Sequence, residues 1–102
     1  MLYRLFIPKF FNNKLLGIFK IPTNRKQLYK QLLKQFLGFT IIENNKGFYQ
    51  EHNKIFIDNI EIIEILTTKN LNKQIFRIAK QIKTDFKQNS VLLTINTKPY
   101  FI

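Results

Sequence analysis

Few side chains in this sequence are of types that do chemistry, and their spacing limits what they can do. The only histidine, His52, lies in Glu51-His52-Asn53-Lys54. A metal needs several ligands converging on one point, and Glu51 shares no face with its neighbour in any regular element, so His52 reads as a turn residue. Glu61 and Glu64 are three apart in a strand-like run, which sends them to opposite faces and rules out a carboxylate pair for acid–base work. Ser90 is the only serine and lacks the flanking glycines of a nucleophile elbow. Gly17, Gly38 and Gly47 are too scattered to cradle a phosphate. With no cysteine there is no thiolate ligand, cysteine nucleophile or disulfide. No catalytic constellation emerges, and neither a cofactor nor a metal is expected.

The basic residues do have a pattern. Lys73, Arg77, Lys80, Lys83 and Lys87 fall opposite an apolar stripe of Leu71, Ile75, Ile78, Ala79, Ile82 and Phe86, whose spacing is that of an amphipathic helix. A second helix over residues 24–36, with Leu28, Leu32, Leu33 and Phe36 inward, adds Arg25, Lys26, Lys30 and Lys34. Together they form a candidate contact surface for phosphate or another anion. The formal charge of +11, from 17 basic and 6 acidic residues, fits such a surface. Base composition explains the charge equally well: Lys, Asn, Ile and Phe, whose codons are rich in A and T, supply 52 of 102 residues.

The helices need strands to pack on. Leu2–Ile7 reads as a first strand closed by Pro8, and Phe10–Ile21 as either a loop or a short amphipathic helix. Asn24 and Gln27 offer a capping box for the first helix, and Gly38 ends it. Phe39–Glu43 leads to a hairpin turn at Asn44-Asn45-Lys46-Gly47 and a strand from Phe48, with a second turn at Glu51–Lys54. Ile55–Thr67 is a strand with a bulge or bend at Asp58-Asn59. Asn70 is the expected cap of the second helix, Ser90–Asn96 the last strand, and Pro99 the start of a tail. The order is that of a ferredoxin-like split β-α-β domain: an α+β fold with an antiparallel sheet, two helices on one face and the other face bare. On that bare face Tyr3, Phe6, Phe48, Tyr49 and Phe56 are candidate contact residues, for base stacking or for burial against another chain.

One domain is expected over residues 1–102, since that length supports a single core. No apolar run reaches the ~18 residues of a membrane span. The first 42 residues carry eight Lys/Arg and no acid, as an organelle presequence does, yet lack its Ser- and Arg-rich character. An intracellular setting is expected, cytoplasm or organelle interior, with an organelle- or plasmid-encoded origin open.

Three short stretches suggest a family: Leu2-Tyr3-Arg4-Leu5-Phe6, then Phe36-Leu37-Gly38-Phe39-Thr40 with Gly47-Phe48-Tyr49, and Lys83-x-x-Phe86-x-Gln88-x-Ser90-Val91-Leu92. The chain resembles a group of small uncharacterised bacterial proteins that share a domain of unknown function. The resemblance implies the ferredoxin-like fold and no activity. It departs in having no Trp after the hairpin glycine.

On these grounds the expected role is a small non-enzymatic interaction or assembly protein, self-associating through the sheet as a homodimer or joining another protein in a larger complex. A nucleic-acid-binding module using the basic helix face is the alternative, and an enzyme with a pocket formed between protomers the second.

Overall fold

Strict alternation fixes the first strand. In β1 (Leu2–Pro8) Tyr3, Leu5 and Ile7 are buried, while Arg4, Phe6 and Pro8 between them are only half-buried. The computed structural model describes the backbone of residues 1–13, 18–22, 24–36 and 38–102, and the side chains of residues 1–9, 24–36, 38–48, 50 and 52–102. After β1 come β2 (Phe10–Asn13), β3 (Ile18–Pro22), α1 (Arg25–Phe36), β4 (Thr40–Glu51), β5 (Lys54–Leu66), α2 (Asn72–Asp85), β6 (Leu92–Ile95) and β7 (Lys98–Phe101).

Five strands form one antiparallel sheet in the order β4-β5-β1-β6-β7, with β1 at the centre and Leu5 opposite both Ile63 and Leu93. The helices bury Leu28, Leu32, Ile75, Ile78, Ala79 and Ile82 against the Tyr3, Leu5, Ile7, Ile63, Ile65 and Leu93 side of that sheet. This is the ferredoxin-like α+β arrangement, extended by an added edge strand and by the β2–β3 hairpin. Among the described residues no helix is long and apolar enough to cross a membrane.

Tyr3 ties the sheet to α2. Its hydroxyl accepts from the Leu71 backbone N–H at 2.8 Å and donates to Asn72 Oδ1 at 2.6 Å, filling the place of a missing cap at the helix start. Tyr3→Phe leaves both partly buried partners without the hydroxyl, so urea unfolding should show a loss of about 1 kcal/mol.

Several local expectations are corrected. Asn44–Gly47 is not the hairpin turn: β4 runs through it, absorbing one extra residue as a bulge between Ile42 and Asn45, with Asn44 at φ 62°. Asn45 Nδ2 donates to the Ile42 and Glu43 carbonyls at 2.9 and 3.3 Å, satisfying backbone acceptors beside the bulge. The reversal comes at His52-Asn53, φ 50° and 63°, the paired left-handed geometry that suits a two-residue hairpin. Asp58 and Asn59 pair regularly with Gly47 and Lys46. Gly47 is therefore spared a side chain by space, since a Cβ there would meet Ile60 Cδ1 at 2.6 Å.

The N-cap of α2 is Leu71, without a side-chain cap; Asn70 Oδ1 instead accepts from the Asn72 N–H at 3.0 Å. Residues 96–97 turn the chain, with φ 49° and 73°, and the expected tail is strand β7. Within Phe10–Ile21 the structure has strand β2 up to Asn13 and strand β3 from Ile18, in place of the loop or helix expected at those positions; residues 14–17 lie outside the described residues.

Candidate functional site

The helix-facing side of β5 alternates inward as Glu61, Ile63 and Ile65, so period-2 geometry places a carboxylate where its neighbours are aliphatic. Glu61 is 0% exposed and sits opposite Ile7 of β1. An ionised carboxylate cannot be buried alone without a large cost. Both partners come from the first turns of α1. Arg25 Nη1 donates to Glu61 Oε2, and the Tyr29 hydroxyl donates to Glu61 Oε1. Four residues apart on a helix, Arg25 and Tyr29 share the face that Leu28 and Leu32 turn toward the sheet.

The centre is not fully satisfied. Arg25 Nε is buried and has no hydrogen-bond partner among the described residues. Tyr29 also packs on Phe39, ring centroids 5.6 Å apart. Burial first, then the hydrogen bond and negative charge of Glu61, hold the Tyr29 phenol well above its ordinary range. The folded state thus keeps this proton at a pH where the unfolded chain loses it. Stability from this source is complete below about pH 10 and declines as pH rises beyond it. Tyr29→Phe should flatten the fall of the thermal midpoint between pH 10 and 12 relative to wild type.

Glu64, on the opposite face, pairs with Arg4 at 2.9 Å. The two glutamates do point apart as their spacing requires, yet Glu61 does not lack partners. Arg25 turns inward to it and leaves the proposed anion surface. Lys26, Lys30, Lys34, Lys73, Arg77, Lys80 and Lys87 are exposed, and Lys83 is half-buried.

The aromatic set expected on the bare face splits. Tyr3 lies in the core between sheet and helices, and Phe6 is half-buried on the other face. Phe48 and Ile57 pair across the far part of the β4–β5 hairpin, followed by Ile55, on the side that continues the helix-covered face. They are 67%, 57% and 73% exposed, and Phe56 projects to the other side. The Tyr49 side chain lies outside the described ones. His52 occupies the hairpin turn, and Ser90 is exposed in the connection from α2 to β6.

Composition did not point to the Arg25–Tyr29–Glu61 centre. The signal was a glutamate at an inward position of an Ile-rich strand, together with Arg and Tyr at helical i, i+4 spacing.

Two solved structures share this architecture. One is phage SAM lyase in complex with S-methyl-5'-thioadenosine: TM-score 0.66, 17% identity, covering 99% of this chain and 87% of that one. The other is phage SAM lyase in the apo state, TM-score 0.64 and 19% identity, covering 99% and 86%. The fold is theirs. No protein-family model and no curated protein matches the sequence. The likeness overturns the expectation of a non-enzymatic assembly protein, because the fold that spans nearly the whole chain is that of an enzyme.

Proposed function

We propose that this protein is a SAM lyase, cleaving S-adenosylmethionine at the bond between the sulfonium and the amino-acid γ-carbon to release methylthioadenosine. The observation that carries the reading is a fold shared with SAM lyase over 99% of the chain. The chemistry suits this sequence. A sulfonium is a good leaving group, and the substrate's own carboxylate oxygen can bond to the γ-carbon as the C–S bond breaks, giving homoserine lactone and neutral methylthioadenosine, so no protein nucleophile is required.

What the protein must supply is a binding site for a cation, and charge favours one region. Five of the six acidic residues, Glu43, Glu51, Asp58, Glu61 and Glu64, lie on β4 and β5, which carry only Lys46 and Lys54 in return. Burial raises the Asp58 pKa. Glu61 is the acid shielded from water, where its charge acts most strongly on a cation. Arg25 has 28% of its side chain exposed, so it is the partner a cationic substrate displaces. Such a substrate goes with an intracellular location.

Incubation of purified protein with S-adenosylmethionine, followed by chromatography, should show methylthioadenosine accumulating in proportion to enzyme. Unchanged substrate at high enzyme concentration would sink the reading.

Self-association belongs to the same proposal, because Phe48, Ile55 and Ile57 form an apolar patch beyond the reach of both helices. The combined variant Phe48→Ser, Ile55→Ser, Ile57→Ser should reduce the mass measured by light scattering to that of one chain. A wild type already of single-chain mass would show that the patch has no second copy on it.

A further inference from the structure

The outward side of the helical layer concentrates the positive charge of the chain. On α1 lie Arg25, Lys26, Lys30 and Lys34 with no acid, and on α2 Lys73, Arg77, Lys80 and Lys83 with Asp85 alone against them. Arg25 is held inward by Glu61, and Asp85 accepts from Gln81 at 3.4 Å. Lys26, Lys30, Lys34, Lys73, Arg77 and Lys80 are exposed and make no ion pair among the described residues.

Lys26, Lys30 and Lys34 recur at i, i+4 and i+8, so they form one row whose members rise about 6 Å apart. Lys73, Arg77 and Lys80 follow at i, i+4 and i+7 on α2. The helices are joined side by side, because Gln31 and Gln81 exchange amide hydrogen bonds at 2.9 and 3.0 Å. Both rows therefore belong to one surface. Base composition accounts for the number of lysines but not for the placing of the acids, five of which lie on β4 and β5.

We propose that this surface binds the phosphate backbone of a nucleic-acid duplex without regard to sequence. A single phosphate can meet one or two of the six cations; a duplex, with one negative charge per about 1.7 Å of axis, can meet both rows. Leu33 is the one exposed large apolar side chain among the described residues of the two helices. There is thus no aromatic platform on which the bases of a single strand could stack, and no apolar ridge to enter a bilayer. Gln31 and Gln81 occupy each other's amides, which keeps them from base edges. None of the six cations bonds to the Glu61 centre, so the surface is independent of the lyase reading.

Fluorescence anisotropy of a labelled DNA duplex, titrated with the protein over a salt series, tests the surface. Six phosphate contacts correspond to a slope of about −5 in log K against log salt. Combining Lys30→Gln, Lys34→Gln, Lys73→Gln and Lys80→Gln should bring the slope to about −2 and weaken binding at low salt by about tenfold or more. Lys30 and Lys34 repel each other at i, i+4, so this variant should keep the wild-type thermal midpoint or exceed it. Combining Lys46→Gln, Lys54→Gln, Lys69→Gln and Lys98→Gln removes the same charge from outside the helices and should keep the wild-type slope. A single strand of equal length should bind more weakly than the duplex.

Four results would each overturn the proposal. An equal change of slope in the two variants would reduce binding to net charge. A single strand held as tightly as the duplex would mean that bases are contacted. Preference for phosphatidylserine vesicles over the duplex would make a membrane the occupant. No binding at low salt would leave the lysines as a solvated face. SAM cleavage should be unchanged in both variants, so failure of this surface and failure of the lyase reading are told apart.

Discussion

On the lyase reading proposed above, Glu61→Gln should stay folded at lower stability and lose about a hundredfold or more in the rate of SAM cleavage, the usual scale for removing a preorganised electrostatic group. The amide keeps the shape of the carboxylate but not its two acceptors: its oxygen can accept from only one of Tyr29 and Arg25, its NH2 faces the other, and the Arg25 charge loses its counter-ion. Glu61→Ala is a harsher change. It leaves a guanidinium and a phenol facing a buried void without an acceptor, and breaking a buried pair in this way costs about 3–5 kcal/mol. Urea unfolding should therefore place Glu61→Gln between the wild type and Glu61→Ala, with SAM cleavage lost in both. A third variant tells catalysis from architecture. Replacing the whole centre by Arg25→Leu, Tyr29→Phe and Glu61→Leu removes every buried charge together, and such replacements are often neutral or stabilising. It should unfold at or above the wild-type urea midpoint and release no methylthioadenosine. A stable triple variant that cleaved SAM at the wild-type rate would show that the centre is only a structural ion pair.

Periodicity made the scaffold legible. The stripe from Leu71 to Phe86 and the alternation of β1 each name a buried face, and so do Leu28 and Leu32 for α1, although Leu33, expected inward with them, is exposed and Phe36 only half-buried; the α+β order follows from these faces. Turns were harder, because Asn-Asn-Lys-Gly at residues 44–47 has hairpin composition yet sits inside a continuous strand. What decides the position of the reversal is pairing along the ladder: turning at His52-Asn53 matches Phe48 with Ile57 and Gln50 with Ile55, a longer run of pairs than the earlier turn allows. That information is non-local, as is the bulge at Ile42–Asn45 that makes the register possible. The candidate centre was missed for a related reason. A glutamate in an Ile-rich strand carries no sign of its partners until the fold lays α1 across β5. Arg25 and Lys26 are neighbours in sequence and alike in charge, yet one reaches the buried carboxylate while the other is exposed. Charge totals could not separate them. The shared fold with an enzyme, in turn, is a property of the whole topology and leaves no short motif to read.

The position of α1 over β5 rests on two buried leucines, so Leu32→Ala should be a severe truncation outside the polar centre. Leu28 and Leu32 are the only buried residues of this 12-residue helix, whereas α2 is held by Ile75, Ile78, Ala79 and Ile82, with Phe86 just beyond its end. Truncating a fully buried leucine costs about 2–5 kcal/mol, through lost transfer energy and the cavity left behind. Against a total of about 5–15 kcal/mol for a domain, that is a large share. Leu33, the next residue, is 51% exposed, so Leu33→Ala should change stability by no more than about 0.5 kcal/mol. The pair isolates burial from helix propensity, since both positions gain the same alanine. Urea titration should show a lower midpoint for Leu32→Ala at an unchanged slope, meaning weaker packing rather than a different unfolded state. Because α1 also carries Arg25 and Tyr29, SAM cleavage by this variant should fall in step with the folded fraction as temperature rises, and recover on cooling. If Leu32→Ala unfolded at the same urea concentration as Leu33→Ala, α1 would not be anchored where its apolar face requires, and Arg25 and Tyr29 would have no fixed position from which to meet Glu61.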